Sequence, residues 1–310
     1  MASTGHLARP VLPTSTMIRF CIYQYQHHPL PQLIERWVRA EEAGFDVLWN
    51  VDAVNEPDHP GMTLFEASTT LAAMALSTSR IRVGTLVTSM YLRNPVMMAK
   101  TAMTLDHLSG GRLELALGAG DPSVRPEAAG VPPWTRGEQV ARFGEFVELI
   151  DRLLQNDTTT YQGRYYRCSH AEMIPGPVQR PRPPITIAAH GPRMLRIAAA
   201  NADSWSQWGG YDIQTERQFF EVTRDRGAQF AELCAEGGRD PKDIRHSLVC
   251  FPPLTPWESV EYFSDMIGRY GAVGIDEFVL YWPQTWREMA HEEVVFEHVC
   301  GDQLPSLRSL

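Results

Sequence analysis

Residues 81–120 read IRVGTLVTSMYLRNPVMMAKTAMTLDHLSGGRLELALGAG, and their pattern decides the fold. IRVGTLV (81–87) and LELALG (113–118) are short, nearly continuous apolar runs, as expected of parallel strands covered on both faces. Residues 95–108 between them carry a helical pattern. The stretch is therefore one strand–helix–strand unit.

The same alternation extends in both directions. Upstream stand IRFCIY (18–23) and FDVLWN (45–50); downstream stand ITIAA (185–189), SWSQ (204–207), RHSLVC (245–250) and EFVLYW (277–282). SWSQ is placed by its position in the series. A helical pattern follows each run. Val140, Phe143, Phe146, Val147, Ile150, Leu153 and Leu154 recur at three- and four-residue steps and form one apolar stripe. Val260, Phe263, Met266, Ile267 and Tyr270 repeat it, as do Leu33, Ile34, Trp37 and Val38. Residues 64–77, 193–201, 215–236 and 287–299 supply the remaining helices. Such alternation builds a closed parallel barrel or a doubly wound sheet, and eight units favour closure.

The expected fold is an α/β (β/α)8 TIM barrel in one domain over 17–310. Residues 1–16 (MASTGHLARPVLPTST) hold two prolines and no apolar core of a signal peptide, so they read as a loose leader. Residues 156–184, rich in Pro, Tyr and Arg, form an excursion between the fourth helix and the fifth strand. Connections from helix to strand lie at the bottom of a barrel, which places this excursion there.

Composition narrows the function. The chain carries a net charge of −9 with its basic residues scattered, and nucleic-acid binding needs a basic stripe. No apolar run approaches the roughly 18–20 residues of a membrane span. Cys21, Cys168, Cys234, Cys250 and Cys300 are far apart and form no C-x-x-C pair. That spacing argues against a disulfide framework or a zinc site and suits a reducing cytoplasm. An enzyme acting on small molecules is the reading that remains.

Barrel sites lie at the carboxyl ends of the strands. The residues there mix aromatic, amide and a few acidic groups, without the carboxylate or histidine cluster of a metallohydrolase and without G-x-S-x-G. After the fourth strand comes Gly118-Ala119-Gly120-Asp121, where a carboxylate could move protons or simply fix a turn. After the fifth comes His190-Gly191-Pro192-Arg193, with proline suited to the first helical position. This is either an ordinary capped helix or an anion site built from free N–H groups and an arginine. No G-x-G-x-x-G follows a strand. Trp49, Tyr91, Trp208, Trp282 and Trp286 belong either to an aromatic-lined pocket or to the core.

Four blocks resemble the bacterial luciferase-like superfamily of flavin- and F420-dependent enzymes: AEEAGFDVLW (40–49), residues 81–120, YQGRYYRC (161–168) with PGPVQRPRPPITIAAHGP (175–192), and RIAAANADSW (196–205). The resemblance spans about 18–282 in the expected order. It implies a flavin at the carboxyl face of a barrel. Thr85, Leu86 and Thr88 would form the bulge behind the ring, with a non-prolyl cis peptide at Thr85–Leu86. Ala119 and Gly120 would lie beside the ring, and Asp121 would serve in proton transfer. His190, Gly191, Arg193 and Met194 would hold the phosphate, and Asp52 matches an acid after the second strand with a catalytic and cofactor-binding role. A histidine that often follows this acid is Ala53 here, and His27 or His28 are the candidates to replace it.

The resemblance implies an oxidoreductase that uses F420, or alternatively FMN as a monooxygenase consuming reduced flavin and oxygen. A non-catalytic flavin-binding protein and a barrel hydrolase are the more distant readings. It also implies a homodimer formed through helices near the second and third units, a small-molecule substrate and no metal.

Overall fold

The computed structural model describes residues 17–55, 61–120, 126–283 and 290–308. In chain order the strands are β1 (Arg19–Tyr23), β2 (Val47–Asn50), β3 (Arg82–Thr85), β4 (Thr88–Ser89), β5 (Leu113–Gly118), β6 (Thr158–Gln162) and β7 (Arg167–Glu172). They continue with β8 (Ile185–Ala188), β9 (Ser204–Gln207), β10 (Arg245–Val249) and β11 (Glu277–Tyr281). The principal helices are α1 (Leu30–Glu42), α2 (Ala67–Ser77), α3 (Pro95–Leu108), α4 (Arg136–Gln155), α5 (Pro192–Asn201), α6 (Glu216–Glu236), α7 (Val260–Gly271) and α8 (Ala290–His298).

Strands β1, β2, β3, β5, β8, β9, β10 and β11 pair in parallel around a closed ring. The seam between β3 and β5 is brief, with Val83 opposite Leu113 and Gly84 opposite Glu114. All eight predicted strand positions are present. The run 81–87 is not one strand, however: it breaks into β3 and β4. A non-prolyl cis peptide stands at Leu86–Val87, one residue later than expected. The reason is pairing. The Leu86 N–H still donates to the Asn50 carbonyl at 3.0 Å, so the ladder with β2 outlasts Thr85.

Alternation along each strand separates two apolar regions. Phe20 and Ile22 of β1 face the helices in the larger cluster. Cys21 and Tyr23 point into the barrel with Val47, Trp49, Ala116, Val249 and Val279. At the amino ends of the strands charge replaces hydrocarbon. Arg19 lies 2.9 Å from Glu114 and 3.2 Å from Glu277, and Arg82 lies 2.6 Å from Glu114. Burial opposes ionisation of Glu114, yet the two arginines hold its carboxyl below the usual range. Pairing is what makes such buried charge tolerable.

The excursion has two halves. From Gly176 to Pro184 it closes the bottom, where Gln179 bonds Asp106 and the Leu113 carbonyl. Arg182 bridges Asp151 and Asp203 there, each at 2.5 Å. The other half departs from expectation: β6 and β7 form an antiparallel hairpin that climbs beside α4 instead of staying at the bottom. The Glu145 carboxylate, midway along α4, causes this by accepting from the Arg164, Tyr165 and Tyr166 N–H groups at 2.9, 2.8 and 3.2 Å.

Candidate active site

Asp52, just beyond β2, is 6 % exposed. One oxygen accepts the Ser89 N–H at 3.0 Å, and the other accepts from Arg93 at 2.7 Å. Arg93 also reaches Glu66 at 2.7 Å. Burial raises the Asp52 pKa, opposed by Arg93 and by the Ser89 N–H. Glu66 caps α2 by accepting from Thr69, and these bonds outweigh its burial to hold it at about 2. Asp52 thus ties β4 to the end of β2. Thr85 is turned away from the mouth: its hydroxyl donates to Asn50 Oδ1 at 2.6 Å, and Asn50 in turn bonds Ala67 and Thr70 at the start of α2. Leu86 and Thr88 are buried on the same bulge.

The turn after β5 is shaped by what its glycines admit. A side chain at Gly118 would overlap Val87, and one at Gly120, whose φ is +91°, would overlap the Tyr91 ring. Gln139 of α4 braces the turn by donating to the Ala119 and Gly120 carbonyls at 3.0 and 2.9 Å. Tyr91 stacks on Trp134 at 4.6 Å, and Arg142 lies between Trp134 and Tyr165 at 4.4 and 4.5 Å. This stack joins the tip of the hairpin to the mouth. Asp121 lies outside the described residues.

Helix α5 begins differently from its neighbours. Asn94 caps α3 and Thr135 caps α4 through their side chains, whereas Gly191 at the start of α5 supplies none. The first N–H groups of α5 are therefore open, next to an exposed Arg193. Arg193 runs toward α4: a Cβ at Gly137 would lie 3.7 Å from its Nη1. Met194 packs on the core, and His190 accepts the Trp208 N–H at 3.3 Å. The neighbouring order β3–β5–β8 sets the bulge, the glycine turn and this helix start side by side.

Rings continue the rim from His190, past the ends of β9 and β10, to that of β1. Tyr23 meets Tyr25 at 5.5 Å and Phe251 at 5.4 Å, both edge-on. Phe251 meets Trp208 at 6.4 Å, and Trp208 meets Tyr211 at 4.9 Å. His27 and His28 lie 4.1 Å apart on the first loop, with Tyr25 beside His27. Burial, with Arg36 adding to it, lowers the His28 pKa. Among the tryptophans considered, Trp49 fills the barrel interior and Trp282 packs on Phe296 beneath Arg36 and Arg39. Trp286 lies outside the described residues.

Arg93, Gln139 and Tyr23 were not singled out from sequence. Tyr23 was within reach, because it shares the inward alternation of Cys21. Gln139 and Arg93 act across the fold and leave no local signal. Among the described residues, no group of histidines, cysteines and carboxylates is arranged to hold a metal.

The family model for luciferase-like monooxygenases matches residues 14–256. An F420-dependent glucose-6-phosphate dehydrogenase of Intrasporangium calvum is 30% identical over 238 residues, covering 72% of this chain and 71% of the relative. A 5,10-methylenetetrahydromethanopterin reductase of Archaeoglobus fulgidus is 34% identical over 173 residues, covering 55% and 47%. A solved F420-dependent secondary alcohol dehydrogenase with an F420-acetone adduct superposes with a TM-score of 0.78 at 19% identity, covering 94% and 99%, a likeness of fold. A long-chain alkane monooxygenase superposes at 0.72 with 14% identity, covering 94% and 91%. The chain belongs to the luciferase-like monooxygenase family.

Proposed function

We propose that this chain is an F420-dependent oxidoreductase that moves a hydride between the deazaflavin and a small organic substrate. The observation that carries this reading is the uncapped start of α5, opening beside Ala119 and Gly120. Free N–H groups at the positive end of a helix suit a phosphate, and Arg193 adds a charged fork. Gly191 keeps the approach clear, and Met194 and His190 anchor the segment from behind. The Ala119–Gly120 face is poor in side chains and fits a flat ring. When bound, F420 supplies or accepts a hydride at C5 of its ring. Leu86 and Thr88 would present the bulge behind that ring. Asp52 and Arg93 hold the bulge in place, so we read Asp52 as a positioning group. Asp121 is assigned the proton transfer that accompanies hydride movement. The F420-dependent relatives support this choice of cofactor.

The solved monooxygenases of the same fold support FMN as the second reading. Titration with F420 and with FMN separates the two. Tighter binding of F420, with no oxygen uptake on reduction, is expected; tight binding of FMN alone, with oxygen consumed, replaces the first reading by the second. Arg193→Ala should weaken F420 binding by about 1.5–3 kcal/mol while leaving the apo-protein's thermal stability unchanged. Early unfolding with unchanged affinity would make Arg193 structural. Asp121→Asn should retain cofactor affinity and lose at least about a hundredfold in turnover, within the range of general acid–base catalysis. Full turnover removes Asp121 from the chemistry.

We also read the chain as a homodimer joined through α2 and α3. Helix α2, ASTTLAAMALS, carries no charge, yet its Leu76 is 69% exposed. An uncharged helix that exposes a leucine suits a covered surface. All five cysteines are free, which suits a reducing cytoplasm. No helix among the described residues is long and apolar enough to cross a membrane.

A further inference from the structure

Bulky branched side chains ordinarily fill the interior of a barrel in layers. One stretch of this wall carries small hydroxyl groups instead. Ser247 shares its face of β10 with Val249, an interior residue. On β9, Trp205 faces the helices, so Ser204 and Ser206 on either side of it face inward. Thr186 of β8 stands opposite Ser204. The register pairs Arg19 with Glu277, Glu277 with Ser247, Ser247 with Ser206, and Ser206 with Ala188. Arg19 and Glu277 begin their strands, whereas Ala188 ends its own. Strand tilt therefore turns this row of partners into a ramp from the base of the barrel to its mouth.

Ser204 and Ser247 are buried, and neither Oγ has a hydrogen-bond partner in the protein. Trp49 is 1% exposed, and its Nε1 is likewise unpartnered. The Cε3 and Cζ3 edge of this indole meets Gly84, so Nε1, on the far edge, turns away from β3 into the interior. Two tryptophans buried as deeply are paired. Trp205 donates to the Ala189 carbonyl at 2.9 Å and Trp257 to the Tyr281 carbonyl at 2.8 Å. Leaving a buried donor or acceptor unmade is costly, and among small polar side chains water is the partner that fits.

We infer that the barrel interior binds a file of water molecules along this ramp, held by the Ser204 and Ser247 hydroxyls and by Trp49 Nε1. The file hydrates the Glu277 carboxylate, which lies 3.2 Å from Arg19, and connects it with the carboxyl ends of the strands. It is a property of the wall and stands whichever cofactor occupies the mouth.

Nitrogen-15 NMR of the full-length protein, with the three indole signals assigned, tests it with water itself as the probe. Transfer of magnetisation from water to the Trp49 indole proton is expected, with none to those of Trp205 and Trp257. Ser247→Val removes a hydroxyl and fills its space with methyl groups, and it should cut the transfer severalfold. The double variant Ser204→Ala with Ser247→Ala asks no extra room of the core and should cut it severalfold as well. Absence of transfer to Trp49 in the wild-type protein overturns the inference, because the interior is then dry. Transfer that survives undiminished in the folded variants overturns it too. So does equal transfer to all three tryptophans, which reports a general opening of the fold.

Discussion

At Gly84 the Trp49 indole occupies the space where a side chain would begin, and the Glu114 carbonyl would lie 2.6 Å from an added Cβ. The sheet and the indole have no free room to give, because both sit in the packed barrel interior. Gly84→Ala should therefore cost about 2–3 kcal/mol, the upper part of the range for overpacking. A denaturant titration measures it, and a midpoint equal to wild type would show that Trp49 can swing aside. Gly118 and Gly120 follow the same logic at the mouth, where Val87 and Tyr91 use the missing side chains. The sequence displays all three glycines openly. What each glycine is for depends on a partner far along the chain, and no local pattern names that partner.

The hairpin β6–β7 is the element whose position depends most on one side chain. Glu145 gathers three consecutive turn N–H groups, and Gly163 closes the turn by donating to the Tyr166 carbonyl at 2.9 Å. Glu145→Gln keeps one acceptor but loses the charge that strengthens these bonds, a change worth about 1–2 kcal/mol. We expect a lowered melting temperature and faster proteolytic cleavage between residues 163 and 166; unaltered cleavage would mean that the hairpin is held elsewhere. The elements themselves were legible to different degrees. Several strands announce themselves as nearly continuous apolar runs, because parallel strands under helices are buried on both faces. SWSQ was legible only from its place in the alternation, since its two serines are buried polar residues inside the barrel. The break at Leu86–Val87 left no mark in the pattern of IRVGTLV, and only the resemblance implied a bulge there. The hairpin's climb was hidden for another reason: it is set by a carboxylate on a neighbouring helix. For the site, the His190–Arg193 helix start was visible as a proline-led turn. The bonds of Asp52 were not legible, because sequence cannot show that Ser89 and Arg93 occupy its oxygens.

For the whole molecule, the exposed apolar side chains of α2 and α3 bear on assembly. Leu76 and Met97 are 69% and 62% exposed. Placing a carboxylate in an apolar contact leaves it desolvated and unpaired, so Leu76→Glu should convert a dimer to a monomer. Light scattering coupled to size exclusion reads the outcome. A wild-type monomer would remove the dimer from the account, and an unperturbed dimer in Leu76→Glu would move the contact elsewhere. The charged network of Arg19, Arg82, Glu114 and Glu277 has a different consequence. Together with Trp49 across Gly84, it closes the barrel at the amino ends of the strands, so that a site at the carboxyl ends is approached from that side alone. Two reactants that meet at that rim must share one approach, and so must the products that leave. The one seated nearer the wall has to arrive first and depart last. Turnover becomes a queue, in which a guest that enters out of turn blocks the passage. The kinetic trace of that queue is a rate that falls when the later guest is present in excess.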